Sequence, residues 1–187
     1  SDLSGDTVSL VSTGGSATFA NKAIGAGKTV TIAGLTLAGG DAGNYTLTQP
    51  TTTADITAKT LTVTGTTAAN KVYDGTVTAT PTFTASALSG VVSGDTVSLV
   101  STGGSATFAT KAIGAGKTVT IAGLTLAGGD AGNYTLTQPT TTADITAKTL
   151  TVTGLKPSIN IYGDAPEVKV DYSSAQLVGV SDRKSTR

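Results

Sequence analysis

Residues Gly5 to Gly65 return almost letter for letter as Gly94 to Gly154, displaced by 89 residues, with Asn21 against Thr110 as the one difference. A repeat this close demands two copies of one local structure, so it is read before any motif. A period of 89 residues is too long for one turn of a solenoid and matches a small independent domain. The chain therefore reads as an array of one unit. Residues 1–56 are the later part of a copy, 57–145 a complete copy, and 146–187 the beginning of a divergent module with a polar tail, Ser181 to Arg187. Residue 1 falls inside a copy and no signal peptide precedes it, so the sequence reads as an excerpt from a longer protein.

Apolar residues recur with period two, the signature of half-buried strands. Val8 and Leu10 alternate with Thr7 and Ser9, Ala17 and Phe19 flank Thr18, and Val30 and Ile32 flank Thr31. The phase shifts at Gly34, ahead of Leu35 and Leu37, which indicates a bulge or tight turn. Tyr45 and Leu47 define a strand over 45–48. Ile56 ends one strand, and Leu61 and Val63 begin another, with a short, stiff link at Thr57 to Lys59 as the seam between copies. Gly14-Gly15 and Asp74-Gly75 are read as hairpin turns. Val77, Ala79, Pro81 and Phe83 alternate with threonine, and Pro81 makes that strand an edge or a bulge. No cap or 3.6-residue periodicity supports a helix over residues 54–65. The expected fold class is all-β, as tandem small β-sandwich-like or β-rich modules joined end to end. Its core candidates are Val97, Leu99, Phe108, Val119, Ile121, Leu124, Leu126, Tyr134 and Leu136, with Tyr73 and Phe83 as further aromatics.

Composition narrows the chemistry. The 12 basic and 12 acidic residues cancel, which argues against a nucleic acid or an anionic membrane surface as partner. Cysteine, histidine, methionine and tryptophan are absent, so zinc and copper lose their usual ligands and thiol or imidazole catalysis is excluded within this stretch. A chain without cysteine suits export from a bacterium. No apolar run approaches the ~18 residues of a membrane span. Threonine, about a fifth of the chain, suits the wet face of a half-buried sheet. Ranks such as TLTVTG also raise ice binding, but Pro81 and the loops interrupt them.

Several short motifs carry possible chemistry. Gly27-Lys28-Thr29 and Gly116-Lys117-Thr118 share three letters with a P-loop, yet Lys22 and Lys111 stand where its first glycine belongs and no helix follows. Gly40 to Asn44 and Gly129 to Asn133 offer Asp and Asn oxygens that Asp6 or Asp95 could join only through the fold. That is few for calcium, and an Asx-stabilised glycine turn is the ordinary reading. Tyr73-Asp74 lacks a second titratable group for acid–base work, since Glu167 is the only glutamate. An intramolecular Lys–Asn bond would need distant residues such as Lys28, Lys59 and Asn44, because Asn70 and Lys71 are adjacent. No catalytic, cofactor-binding or metal-ligating residue is assigned, and no cofactor is expected.

At NKVYDGT (70–76), SGDTVSL, GKTVTIAGLTLAGGDAGNYTLTQ and ADITAKTLTVTG the repeat resembles the YDG domain of large bacterial surface proteins, with Tyr73, Asp74 and Gly75 on the motif that names it. Pro157 to Asp171, with Tyr162-Gly163-Asp164 one period after Tyr73, resembles the start of an MBG-type module of haemagglutinin-like adhesins. The resemblance implies a secreted or cell-surface, extracellular stalk that projects a distal binding region, and no enzyme. The expected partners are adjacent repeats of the same chain and, under the filament alternative, other copies of the chain. The alternatives are a subunit of an extracellular filament assembled head to tail by strand complementation between incomplete terminal modules, and a carbohydrate- or host-protein-binding module.

Overall fold

The computed structural model describes residues 5–157, 170–171 and 176–178. Tyr162 to Asp164, Glu167 and the tail Ser181 to Arg187 lie outside the described residues. Alternating Thr and aliphatic residues, broken by glycines, produce short strands throughout. In the first copy these are β1 (Ser9–Val11), β2 (Ser16–Phe19), β3 (Gly25–Ala33), β4 (Thr36–Ala38) and β5 (Thr51–Ile56). The complete copy holds β6 (Lys59–Thr64), β7 (Thr67–Ala68), β8 (Lys71–Val72), β9 (Thr78–Ala79), β10 (Pro81–Thr82) and β11 (Ala87–Ser89). It continues through β12 (Ser98–Val100), β13 (Ser105–Phe108), β14 (Gly114–Ala122), β15 (Thr125–Ala127), β16 (Tyr134–Thr137) and β17 (Thr140–Thr146). Beyond it lie β18 (Thr151–Thr153), β19 (Lys156–Pro157), β20 (Val170–Asp171) and β21 (Gln176–Val178). Two single-turn 3-10 helices, Ala42–Asn44 and Ala131–Asn133, are the only helical pieces among the described residues. The protein is all-β.

Contacts divide the chain into two compact units, and the division cuts across the 89-residue period. The first unit gathers Ser1–Thr64, Ser86–Gly103 and Leu124–Gln138. Its mixed sheet places β6 between β11, antiparallel to it, and β16, parallel to it. The alternation in KTLTVT buries Leu61 and Val63 and leaves the threonines in water. Tyr134 and Leu124 are also buried there. The same unit contains the pairs β12–β15 and β1–β4 and the sheet β2–β3–β5.

The second unit gathers Gly65–Ala85, Gly104–Gly123 and Pro139–Arg187. Its five-stranded sheet has the order β8-β17-β14-β13-β9. Phe108, Val119, Ile121, Ala106, Ala79, Ala143 and Ile145 form its core. The register of β14 against β17 slips between Gly114 and Lys117, and β3 slips against β5 at the matching Gly25 and Lys28.

The two glycine turns read as hairpins are not hairpins. β1 pairs with β4 and β2 with β3, so Gly14-Gly15 carries the chain from one sheet to another. Its counterpart, Gly103-Gly104, marks the passage from the first unit to the second. Gly34 stands in the left-handed region at φ 79°, and a Cβ there would run into the carbonyl oxygen of Gly14. Only glycine permits both the conformation and that approach. Asp74-Gly75 likewise joins strands on opposite edges of the five-stranded sheet, because β8 pairs in parallel with β17 while β9 pairs with β13.

Residues 45–48 do not form the expected strand, although the identical Tyr134–Thr137 is β16. The reason is the neighbour. β16 forms by pairing with β6, and among the described residues the first copy has no strand in that place. The same logic separates Phe108, 3 % exposed beside β9, from Phe19, 39 % exposed on β2, an outer strand of its sheet. Of the core candidates, Phe108, Val119, Ile121, Leu124 and Tyr134 are buried, whereas Val97, Leu99, Leu126, Leu136, Tyr73 and Phe83 are half-buried.

Identical residues with unequal burial should respond unequally to truncation. Ile121 is fully buried and Ile32 is half-buried. Ile121→Ala is expected to destabilise its sheet by about 2–5 kcal/mol, and Ile32→Ala by clearly less. Native-state hydrogen exchange at assigned amides of β14 and β3 measures both, and equal losses would contradict the burial argument.

Candidate functional site

The Gly-Gly-Asp-Ala-Gly-Asn segment folds identically in both copies. In the second, Asp130 precedes the 3-10 turn and its carboxylate accepts a hydrogen bond from the Thr96 amide at 2.9 Å. The Asp130 amide in turn donates to the Thr96 carbonyl at 3.2 Å. The Tyr134 hydroxyl donates to Asp95 Oδ2 at 2.5 Å and accepts from the Val92 amide at 3.1 Å. These bonds fix the carboxylates of Asp95 and Asp130 in place. The expected Asx stabilisation is not what holds this turn: Asp130 makes no side-chain bond to its own turn and gives its carboxylate to the Thr96 amide, while Asp95 joins the turn through the fold.

The cation that meets these carboxylates is an ammonium. Lys22, from the loop between β2 and β3 of the first copy, bonds Asp95 Oδ1 and lies 3.1 Å from Asp130 Oδ1. Two residues on, the Ile24 amide donates to Asn133 Oδ1 at 3.1 Å. A three-residue stretch of one copy thus engages the acidic turn of the next, all within the first compact unit. The Asp95 side chain is 7 % exposed and that of Lys22 64 % exposed, so the carboxylate is the sheltered partner. Hydrogen bonds to Asp95 and then Asp130 hold the Lys22 ammonium above its ordinary pKa. The Lys22 ammonium, with help from the Tyr134 hydroxyl, holds Asp95 below the ordinary carboxylate value. Asp130 is lowered mainly by the Thr96 amide and then by Lys22. The bond to Asp95 raises the Tyr134 phenol.

The one residue that differs between the copies lies in this loop. Asn21 Oδ1 accepts from Lys28 Nζ at 2.6 Å and from the Ala23 amide at 3.2 Å, bracing the turn that presents Lys22. Thr110 keeps the first of these contacts, its hydroxyl accepting from Lys117 Nζ at 2.9 Å. Lys28 is thus engaged by its own loop. Asn44, the partner weighed for a Lys–Asn bond, lies instead in the first copy's acidic turn.

The Tyr-Asp-Gly stretch is organised around the lysine two residues before it. Lys71 Nζ lies within 2.9 Å of Asp74 Oδ1, 3.0 Å of the Thr76 carbonyl, 3.1 Å of the Thr76 hydroxyl and 2.8 Å of the Thr78 carbonyl. It also stands 5.5 Å from the centroid of the Phe108 ring, a cation–π distance. Asp74 Oδ1 accepts in addition from the Thr76 amide and hydroxyl, at 2.8 and 2.9 Å, closing an Asx turn with Gly75 at φ 83°. Lys71 leads these interactions in lowering the Asp74 pKa to about 2. Tyr73 lends its backbone amide to the Thr146 carbonyl at 2.8 Å. Lys71, the Asp74 carboxylate and the Tyr73 amide are therefore each engaged by the motif's own turn or the adjoining sheet. The residues that matter most here, Lys22 and Lys71, were invisible as sites in the sequence, because a lysine reveals its role only through what surrounds it.

The Gly-Lys-Thr letters belong to strands, β3 and β14, in place of a phosphate loop. The amides of Gly27 and Gly116 donate to the carboxylates of Asp55 and Asp144, each at 2.7 Å, so an internal anion sits where a phosphate would have to enter. Among the described residues no three metal-ligating Asp, Glu, His or Cys side chains gather.

Comparison with known proteins matches the family model of the YDG domain to residues 1–54 and again to 57–143. No curated protein and no solved structure matches.

Two outcomes test this geometry. Lys71→Met takes the ammonium from the Thr76 and Thr78 carbonyls and from Asp74, which keeps only the Thr76 amide and hydroxyl, and is expected to cost about 1–3 kcal/mol in urea denaturation; a loss within error would contradict the hub. For the clasp, Asp95 and Asp130 titrate lower in the folded chain than the ordinary 3.8, so their contribution is complete above that value and fades as pH falls below it. Lys22 titrates above 10.5, so its contribution is complete below that value and fades as pH rises through the raised one. The Ile24 and Thr96 amide resonances should hold steady between these limits and shift outside them, and Lys22→Met should flatten the Ile24 response.

Proposed function

From the premise that the chain belongs to the YDG domain family, we propose that it is a spacer in an exported bacterial surface adhesin, holding a distal binding region away from the cell. The observation that carries this reading is the joint between copies. β5 and β6 are separated by two residues, Thr57 and Ala58, and the Lys22 loop engages the next copy's acidic turn within one compact unit. A short link and a charged clasp restrict bending, as a stalk requires and a flexible linker does not. Low charge and threonine-covered faces keep such an array soluble without attracting nucleic acid or anionic lipid. Residues from 146 onward open an MBG-type module that continues the stalk.

A second reading rests on a different observation. Leu10 is 60 % and Phe19 39 % exposed on the first copy. In the second copy β13, the counterpart of β2, pairs with β9 from the first third of the repeat. A strand in the place of β9, from the same chain or from another molecule, would cover the β2 edge, and supplied by another molecule it would give a filament by strand complementation.

Small-angle scattering on chains of one to four copies tests the spacer. The maximum dimension is expected to rise in proportion to copy number, and a globular scaling would overturn the reading. Light scattering against concentration tests the filament, which requires growing polymers and is excluded by a strict monomer.

A further inference from the structure

Among the described residues Lys22 is the one lysine whose Nζ stands between two carboxylates. It reaches them across 73 residues of chain, and the nearer one, Asp95, is sheltered from water. Lys71 differs, because its carboxylate, Asp74, is exposed and only three residues away. Lys28 and Lys117 meet neutral oxygens. The two oxygens of Asp95 are in different states. Oδ1 meets the Lys22 ammonium, and Oδ2 accepts from the Tyr134 hydroxyl at 2.5 Å. The Tyr134 oxygen is itself braced by the Val92 amide. Asp130 Oδ1 lies 3.1 Å from Lys22 Nζ, while Asp130 Oδ2 is held by the Thr96 amide. An amine in contact with a carboxyl group, a hydroxyl on the oxygen where charge would develop, and a second carboxylate on the amine are the parts of an amide-forming site.

We propose that Lys22 and Asp95 condense to an isopeptide bond, so that the contact between copies matures from an ion pair into a covalent weld. The hydrogen bonds that raise Lys22 and lower Asp95 favour the charged pair, so the reaction is slow and its product accumulates as the folded chain ages. The ammonium first passes a proton to Asp130 Oδ1, which leaves a neutral amine. The Nζ lone pair then attacks Asp95 Cγ, and Tyr134 holds the charge that develops on Oδ2. Asp130 returns its proton to Asp95 Oδ1 and carries a second one there from Nζ. The Cγ–Oδ1 bond breaks, water leaves, and Oδ2 becomes the amide carbonyl. Two protons of the ammonium thus depart with one aspartate oxygen, one stays on the amide nitrogen, and Asp130 ends as it began. No other reactant is consumed, and the exposed flank of Lys22 gives the water a way out. Once formed, the bond ties residue 22 to residue 95, so a load on the two ends of the chain runs through it and bypasses β3 to β11. The weld goes beyond the spacer reading and fails separately from it, since it stands on mass and the spacer on molecular dimensions.

The test is intact mass spectrometry of the full chain, fresh and after days of incubation in the folded state, followed by peptide mapping. The expected product is lighter by one water, resists tryptic cleavage after Lys22, and yields one branched peptide joining Lys22 to Asp95. Closure of Asp74-Gly75 to a succinimide loses the same mass, but alkaline hydroxylamine opens a succinimide and leaves an isopeptide intact. Lys22→Arg keeps the cation without a nucleophilic amine and is expected to remain at full mass. Asp130→Asn keeps the shape of the neighbour without its proton carrier and is expected to slow the product by ~100-fold. Incubation in urea should prevent the product altogether. The Ile24 and Thr96 amide resonances report in each sample whether the clasp is formed. The weld is overturned if the folded chain keeps its full mass, if the water is lost only elsewhere, or if Lys22→Arg loses it equally. A chain whose amides show no clasp lacks the geometry and overturns it as well. An unchanged rate in Asp130→Asn overturns the proton path assigned to that carboxylate.

Discussion

Leu61 is wholly out of water in the middle of a three-stranded sheet whose outer strands arrive much later in the chain. β11 reaches it after one excursion into the second unit, and β16 after two. The rest of the first unit depends on that pairing. Without β6, the residues of β16 have nothing to align against, as the first copy demonstrates: its Tyr45 to Thr48 are not a strand. A strand's amides and carbonyls are satisfied only by a neighbour, and here the neighbour belongs to the start of the same repeat. The fold is therefore a set of returns to strands laid down earlier, with the local turns serving to redirect the chain between sheets.

The second dependence is electrostatic and sits at the seam. An exposed ion pair between long, mobile side chains contributes little. Here one partner, Asp95, is sheltered and already held by a tyrosine hydroxyl, and Asp130 is held by a backbone amide, so neither carboxylate has to be ordered when Lys22 arrives. Preorganisation of the acceptor gives the contact a defined geometry. The Ile24 amide to Asn133 adds a neutral, directional bond to the charged one. Polar side chains stand in for backbone elsewhere too. Gln138 accepts from the Leu124 amide and donates to the Leu124 carbonyl, at 3.1 and 2.8 Å, and Gln49 does the same for Leu35. A side-chain amide carries one donor and one acceptor face and can complete a peptide where no strand is at hand.

The Tyr-Asp-Gly stretch is a lesson in how far a motif speaks for chemistry. Its letters allow an acid beside a phenol. In the fold, the aspartate closes a turn, the glycine supplies the positive φ, and Lys71 ties the turn to the sheet while lying over Phe108. The two apparent hairpin signals went astray for a related reason. A glycine pair announces that the chain changes direction; it does not say which strand the chain then joins.

What the sequence determined by itself was the period, the alternation of aliphatic and threonine residues, the lack of helix and the places where the chain bends. These are local properties, fixed by side-chain size, branching and glycine content. The tertiary structure alone decided which strands are neighbours, which of two identical phenylalanines is buried, and which lysine meets which aspartate. Backbone hydrogen bonding is the same for any two strands, and an ammonium is attracted to any carboxylate. Partner choice is therefore a property of the whole packed chain, and no window of sequence contains it.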